Sequence, residues 1–332
     1  MTGLADEVDA LAESGDFAGV VSVSRGDRVE FERAYGFADR AHAVAAKVDT
    51  QFAIASGTKG FTALVVMGLV GDGALSLDTA ARSLLGADLP LVGDDVTVAH
   101  LLAHTSGIGD YFDEEADTDI NDYVLPVPVH QLATTESYLA VLGGRPAKFG
   151  AGERFAYCNG GYVVLALLAE RASGQPFPDL VQMRVCAPAG MVDTAFLRSD
   201  ELPGRVALGY LPGGSRTNVF HLPVVGSGDG GAYSTAADFR AFWSALFAGQ
   251  IVPRDVVDEM VRPRSDVPAE GMRYGLGFWL HATGPAVLLE GYDAGVSFRS
   301  VHDPTSGVTH TVLANSSDGA WPITRHLDTL LG

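Results

Sequence analysis

Basic residues are scarce: 22 Lys and Arg stand against 41 Asp and Glu, a formal net charge of −19 over 332 residues. Such a chain repels phosphate backbones and anionic membrane surfaces, so nucleic acid is not an expected partner. Only two cysteines occur, Cys158 and Cys186, too few for a disulfide framework and at a spacing that matches no zinc pattern. Both are expected as reduced thiols. Long hydrophobic runs are missing too. The most continuous, Tyr162 to Ala169, stops at Glu170, well short of the roughly 18 to 20 residues that span a bilayer. The first residues carry acids where a signal peptide carries basic groups, and no long apolar core follows. The expectation is a cytoplasmic protein with no membrane span. No repeat of about 20 to 50 residues is visible either.

What is present describes a folded, compact chain: 47% hydrophobic and 19% charged residues are too apolar for intrinsic disorder. At roughly 150 residues per domain, the length predicts two domains, or one with an insertion. Phe17 to Ser24 and Arg28 to Tyr35 are β-branched or aromatic runs separated by Gly26-Asp27, which reads as a hairpin. Phe52 to Val70 opens with a short apolar stretch and turns helical from Ser56, with Phe61, Leu64, Val65 and Leu69 spaced for one buried face. Helical signals then dominate: Val98 to Ala103, Val129 to Leu142, Gly161 to Arg171 and Ser234 to Phe247. The tail returns to strand-like runs at Tyr274 to His281, Ala286 to Glu290, Val296 to His302 and Thr309 to Ala314, before a last helix near Trp321 to Leu331. A two-stranded hairpin is marginal alone, so the opening hairpin is expected to join the four C-terminal strands in one antiparallel sheet, covered by the first and last helices. The fold class is therefore α+β. Residues 1–77 and 250–332 are expected to form an α/β unit with the antiparallel sheet, residues 78–249 a mostly helical one, and the cleft between them the active site.

Two short motifs carry chemistry. In Ser56-Gly57-Thr58-Lys59, a serine and a lysine at i and i+3 share one helix face, so the amine comes within hydrogen-bond reach of the hydroxyl. The helix N-terminus adds partial positive charge, which favours a neutral lysine, and unpaired amides, which suit an oxyanion. The plain alternative is that Ser56 is an N-cap and Lys59 a surface charge. In Tyr157-Cys158-Asn159, a phenol and an amide two residues apart point the same way. One can move protons and the other can bind a carbonyl; the plain alternative is a buried tyrosine and a capping asparagine.

Phe52-Ala-Ile-Ala-Ser56-Gly-Thr-Lys59, Leu101-Leu-Ala-His-Thr-Ser-Gly-Ile108, Phe155-Ala-Tyr157-Cys-Asn159-Gly-Gly and Gly230-Gly-Ala-Tyr-Ser-Thr together resemble the penicillin-recognising serine hydrolases. Within them the chain is most similar to the class C β-lactamase-like group, with its D-Ala-D-Ala carboxypeptidases and family VIII esterases. The resemblance runs from about Phe17 to Leu330. It implies a β-lactamase/transpeptidase-like fold, an acyl-enzyme on Ser56, proton transfer by Lys59 and Tyr157, and substrate orientation by Asn159. It also implies an oxyanion hole from the backbone amides of Ser56 and Tyr292, beside Gly291. Tyr111 and the acidic run Asp113 to Asp122 behind it are candidate walls of the pocket, although an acidic run is ordinarily a solvated loop. The family's third motif is a Lys or His, a small residue and a Gly. Aligning Gly291 and Gly295 puts Leu289 where the cation belongs, and Arg299 on the next strand is a candidate replacement. Loss of that cation weakens the case for carboxylate-bearing substrates such as penicillins, and favours hydrolysis of a carboxylic ester or amide. The alternatives are a β-lactamase or D-Ala-D-Ala carboxypeptidase, and a non-hydrolytic penicillin-binding sensor or interaction protein on the same scaffold. The expected partner is a small-molecule ester, amide or β-lactam; the sequence leaves the oligomeric state open.

No cofactor and no metal are expected. Gly226-Ser-Gly228-Asp-Gly230-Gly231 has the dinucleotide spacing but follows no clear βαβ strand, and reads as a turn before a helix capped by Ser234 or Thr235. His100 and His104 lack a Glu at 101. Asp117-x-Asp119-x-Asn121 begins like a calcium loop but has Asp122 and Pro128 where Gly and Glu are needed. Gly-x-Ser-x-Gly is absent, and Cys158 reads as a small buried filler.

Overall fold

The computed structural model describes residues 2–115 and 119–331. Asp117, part of the acidic run and of the calcium-like pattern, lies outside the described residues. The first helix, α1 (Thr2–Ser14), leads into the hairpin of β1 (Gly19–Arg25) and β2 (Arg28–Tyr35). The remaining strands of the main sheet come from the other end of the chain: β3 (Ser265–Val267), β4 (Met272–Tyr274), β5 (Trp279–His281), β6 (Val287–Asp293), β7 (Val296–Asp303) and β8 (Val308–Ala314). They form one eight-stranded antiparallel sheet in the order β2-β1-β8-β7-β6-β5-β4-β3. The N-terminal hairpin docks through β1 on β8, with Val20 opposite Leu313. Pairing the first strand with the last satisfies the edge that an isolated hairpin leaves open.

Each face of the sheet is buried. On the outer face, Val21, Val23, Val312 and Ala314 meet Val8 and Ala12 of α1 and Ile323 and Leu327 of the last helix (Ala320–Leu331). The inner face belongs to the main core, which runs without a break from Val20, Phe298 and Leu313 into three helices. These are α2 (Thr58–Gly71), α3 (Asn159–Ser173) and α4 (Ala236–Phe247). Helix α3 is buried from Asn159 to Ala169, as expected for a helix with no polar stripe. Helix α4 falls in the span expected for the helical block, yet it packs on the sheet: the Phe239 ring lies tilted against Phe298 at 4.6 Å, and the Trp243 indole donates to the Ser300 hydroxyl at 2.9 Å.

Two elements differ from the sequence reading. Tyr274 to His281 is two strands: Gly275 comes so close to the Met260 carbonyl, and Gly277 (φ +86°) turns so sharply, that the chain reverses between β4 and β5. Val129 to Leu142 is a pair of 3₁₀ turns, Val129–Gln131 and Thr135–Tyr138, followed by a four-residue helix, Leu139–Leu142. Thr134 breaks it, being extended and capping the second turn through the Ser137 amide.

The site is positioned by a short ladder in which Phe52 pairs with Ser234 and Ala53 with Tyr233. The Ile54 amide extends it to the Ala232 carbonyl. The ladder holds two turns side by side at the N-terminus of α2: Ala55–Gly57, carrying Ser56, and Gly226–Gly231.

Candidate active site

Ser56 sits in a 3₁₀ turn directly before α2, and the residue ahead of it, Ala55, has φ +42°. A left-handed non-glycine residue costs of order 1 kcal/mol or more and persists where surrounding contacts over-determine it. Those contacts are here: β6 crosses the turn so closely that a Cβ on Gly291 would lie 2.0 Å from the Ile54 carbonyl oxygen. Only glycine permits that approach, and it brings the Tyr292 backbone beside the Ser56 turn. The Tyr292 side chain itself is exposed, near Trp321.

One turn along, Lys59 is 2% exposed. Its Nζ has three partners: Ser56 Oγ at 2.8 Å, Asn159 Oδ1 at 2.8 Å and the Asp229 carbonyl at 2.7 Å. Burial lowers the Lys59 pKa, while the carboxylates of Asp229, Glu114, Asp110 and Asp293 pull it back up. The three partners suit an uncharged amine as well as an ammonium. Asn159 Oδ1 and the carbonyl can only accept, so a neutral Nζ donates to both and turns its lone pair to the Ser56 hydroxyl.

Tyr157 stacks between His104, at 4.3 Å, and Trp279, at 5.9 Å and nearly parallel. The Lys59 Nζ lies 4.9 Å above its ring. Burial pushes the phenol well above its ordinary pKa, and Glu114 pushes it further, with the Ser56 hydroxyl opposing. His104, behind it, is buried and held uncharged by desolvation; its Nδ1 accepts from the Cys158 amide at 3.0 Å. Cys158 is itself buried beneath the site.

Asn159 opens α3. Its Nδ2 donates to the Phe112 carbonyl at 3.2 Å and to Glu114 at 3.1 Å, so the start of the acidic run reaches the site, while Glu115, Asp119 and Asp122 are exposed as a solvated loop would be. Buried Asp110 accepts from the backbone amides of Asn159, at 2.6 Å, and Gly160, at 2.8 Å, answering two of the open donors of the helix. Tyr111 lies across the cleft with its phenol donating to Asp229.

Leu289 does not face the cleft. It is 2% exposed, and its methyl groups fill the space a Cβ on Gly60 would need. Arg299 does line the cleft, but Glu290 and Asp328 hold it in ion pairs. Arg325 is a second arginine on that wall and is exposed at its mouth. The cleft on this side measures about 530 Å³ and includes Ser56, Tyr157, Trp279, Glu290 and Tyr292, a size that suits a small-molecule ligand.

All seven residues singled out from the sequence, Ser56, Lys59, Tyr111, Tyr157, Asn159, Gly291 and Tyr292, are thus at one place. Sequence reasoning missed Asp110, Asp229, Asp293, His104 as the support of Tyr157, and Trp279. The Gly226–Gly231 turn, set aside as a nucleotide motif, supplies the Asp229 carbonyl to Lys59, and the Gly228 carbonyl accepts from Thr62 at 2.6 Å. Among the described residues no three His, Cys, Asp or Glu side chains are gathered as a metal site, and no helix is long and apolar enough to cross a membrane.

Several known proteins are similar to this chain. A family model described as Beta-lactamase matches residues 4–330. Esterase EstB of Burkholderia gladioli is 30% identical over 81% of this chain and 76% of its own length. Penicillin-binding protein 4* of Bacillus subtilis is 29% identical over 82% of this chain, which spans only 61% of that relative. The crystal structure of a penicillin binding protein from Bacillus halodurans superposes with a TM-score of 0.91 at 36% identity, covering 97% of this chain and 99% of the other.

Proposed function

This chain belongs to the beta-lactamase family of serine hydrolases, and we propose that it cleaves a carboxylic ester or amide through an acyl-enzyme on Ser56. The observation that carries this reading is the 2.8 Å contact between Ser56 Oγ and a buried amine whose other two neighbours can only accept. Desolvation favours the uncharged amine, and an uncharged Lys59 is the base. It takes the Ser56 proton as Oγ bonds to the substrate carbonyl carbon. The Tyr157 phenol, kept protonated by burial, gives its proton to the leaving alcohol or amine as the C–O or C–N bond breaks, and recovers one from Lys59. Water then attacks the ester on Ser56, and the acid departs with Ser56 restored.

The backbone amides of Ser56 and Tyr292 hold the oxyanion in this reading, brought together by the approach of Gly291 to Ile54. Each such donor is worth about 3 kcal/mol in the transition state, and neither depends on the missing cation. Asn159 orients Lys59 and the substrate carbonyl side.

Ester or amide substrates are favoured over penicillins because Leu289 is packed into the core and Arg299 is already paired. A chromogenic short-chain ester and a chromogenic cephalosporin test this directly: the ester is expected to turn over faster, and Ser56→Ala to abolish it. Faster cephalosporin turnover supports the β-lactamase reading instead, and a stoichiometric burst without turnover the sensor reading. Both cysteines are free and buried, which suits the cytoplasmic location proposed for the protein.

A further inference from the structure

His104 is 1% exposed, so it touches no substrate, yet three separate links tie it to the segment that carries the Tyr157 phenol. Its carbonyl accepts from the Ala156 amide at 2.8 Å, its Nδ1 accepts from the Cys158 amide at 3.0 Å, and its ring lies on the Tyr157 ring at 4.3 Å, 29° from parallel. With Trp279 on the opposite face, the Tyr157 ring cannot swing. Its hydroxyl is kept to the Ser56 side of the cleft.

Two costs separate this arrangement from simple core filling. His104 is left-handed, with φ +55°, a conformation that a non-glycine residue keeps where its surroundings over-determine it. Because Nδ1 accepts, the ring proton is on Nε2, which is buried among Phe155, Tyr162 and Tyr274 with no hydrogen-bond partner among the described residues. A buried N–H left unanswered is unfavourable. A phenylalanine would stack in the same slot without that cost; what it lacks is an acceptor for the Cys158 amide. Burial, with Lys59 nearby, also keeps the imidazole uncharged, so it holds the segment without placing a second positive charge beside the amine.

Resting on the Ser56 and Tyr157 roles above, we propose that His104 is a positioning residue for the acid step: through Nδ1 and its ring it aims the Tyr157 phenol at the leaving group. As the bond from the carbonyl carbon to the leaving oxygen breaks, the electron pair stays on that oxygen and the phenol proton moves to it. Tyr157 is then a phenolate until the Lys59 ammonium returns the proton that Lys59 took from Ser56. A strongly basic alkoxide needs that proton to depart, whereas p-nitrophenolate leaves without it. His104 thus sets how basic a leaving group the protein can expel.

The test compares p-nitrophenyl acetate with ethyl acetate, which pass the same acetyl group to Ser56, through the ratio of their kcat/KM values, a measure of acylation alone. His104→Phe keeps a stacked ring and loses the acceptor. His104→Asn keeps an acceptor, suits the left-handed backbone and loses the stack. General-acid transfer is worth about 10² to 10⁴-fold, so each variant is expected to raise the ratio in favour of p-nitrophenyl acetate at least tenfold over wild type. A ratio unmoved in a folded variant, equal loss on both esters included, overturns the proposal. In the wild-type protein the ¹⁵N shifts of the His104 ring are expected to show a bare Nδ1 and a protonated Nε2; a proton on Nδ1 overturns it as well. The readings beneath it fail separately: the Tyr157 role if Tyr157→Phe leaves the same ratio unmoved, and the Ser56 role if p-nitrophenyl acetate turnover survives Ser56→Ala.

Discussion

Lys59 Nζ stands 2.8 Å from Ser56 Oγ, and the direction of that hydrogen bond depends on the charge of the amine. As an ammonium it donates to the hydroxyl and blocks it; as a neutral amine it accepts the proton. Desolvation lowers the Lys59 pKa from 10.5, so kcat/KM for p-nitrophenyl acetate is expected to rise with pH along a limb below the ordinary lysine range. Four carboxylates oppose that lowering. Removing the charge of one, as in Asp293→Asn, destabilises the ammonium and moves the limb to lower pH. The pH profile of each protein checks both statements; a limb that moves up in the variant contradicts them.

Asp110 links two elements through the Asn159 and Gly160 amides. Asp110→Ala leaves both donors buried without a partner, which costs about 1 to 3 kcal/mol per group, and it frees Asn159 to move off Lys59. Urea denaturation is expected to show a loss in that range, with kcat reduced alongside. A variant of unchanged stability and activity removes Asp110 from the account.

A methyl group at Gly291 has nowhere to go, because the Ile54 carbonyl stands 2.0 Å from where it must be. Gly291→Ala pushes β6 and the Ser56 turn apart and misplaces both proposed oxyanion amides. A displacement of about 1 Å is enough for a loss of about 10²-fold, read in kcat/KM for the ester at temperatures where the variant is folded by circular dichroism.

Leu289 fills the gap left by Gly60. Leu289→Ala opens a cavity in the core and is expected to cost about 2 to 5 kcal/mol, measured by urea denaturation. A cost below about 1 kcal/mol shows that the side chain is not packed there.

The Ser56–Lys59 pair was legible because both residues lie on one helical turn, where spacing alone fixes the geometry. The hairpin of β1 and β2 was legible for the same local reason, and the joining of the N-terminal hairpin to the C-terminal strands followed from the need to cover an edge. Asp110, Asp229 and Asp293 gave no such signal: they stand on an irregular segment, on the Gly226–Gly231 turn and at the end of β6, and meet only because α3, that turn and β6 converge on Ser56. The strand β3, Ser265–Val267, is too short for an alternating pattern. The burial of Leu289 was hidden because strand alternation assigns a residue to a face, but not to what that face touches. Here Leu289 and Gly291 share the face that meets α2 and the Ser56 turn, while Glu290 lines the larger side of the cleft.

A covalent intermediate on one serine is the centre of this account, and intact mass spectrometry after treatment with a fluorophosphonate measures it most directly. One adduct per chain is expected, mapping to the peptide that contains Ser56 and absent from Ser56→Ala. An adduct retained in that variant, or none in a wild-type protein that still hydrolyses the ester, contradicts it.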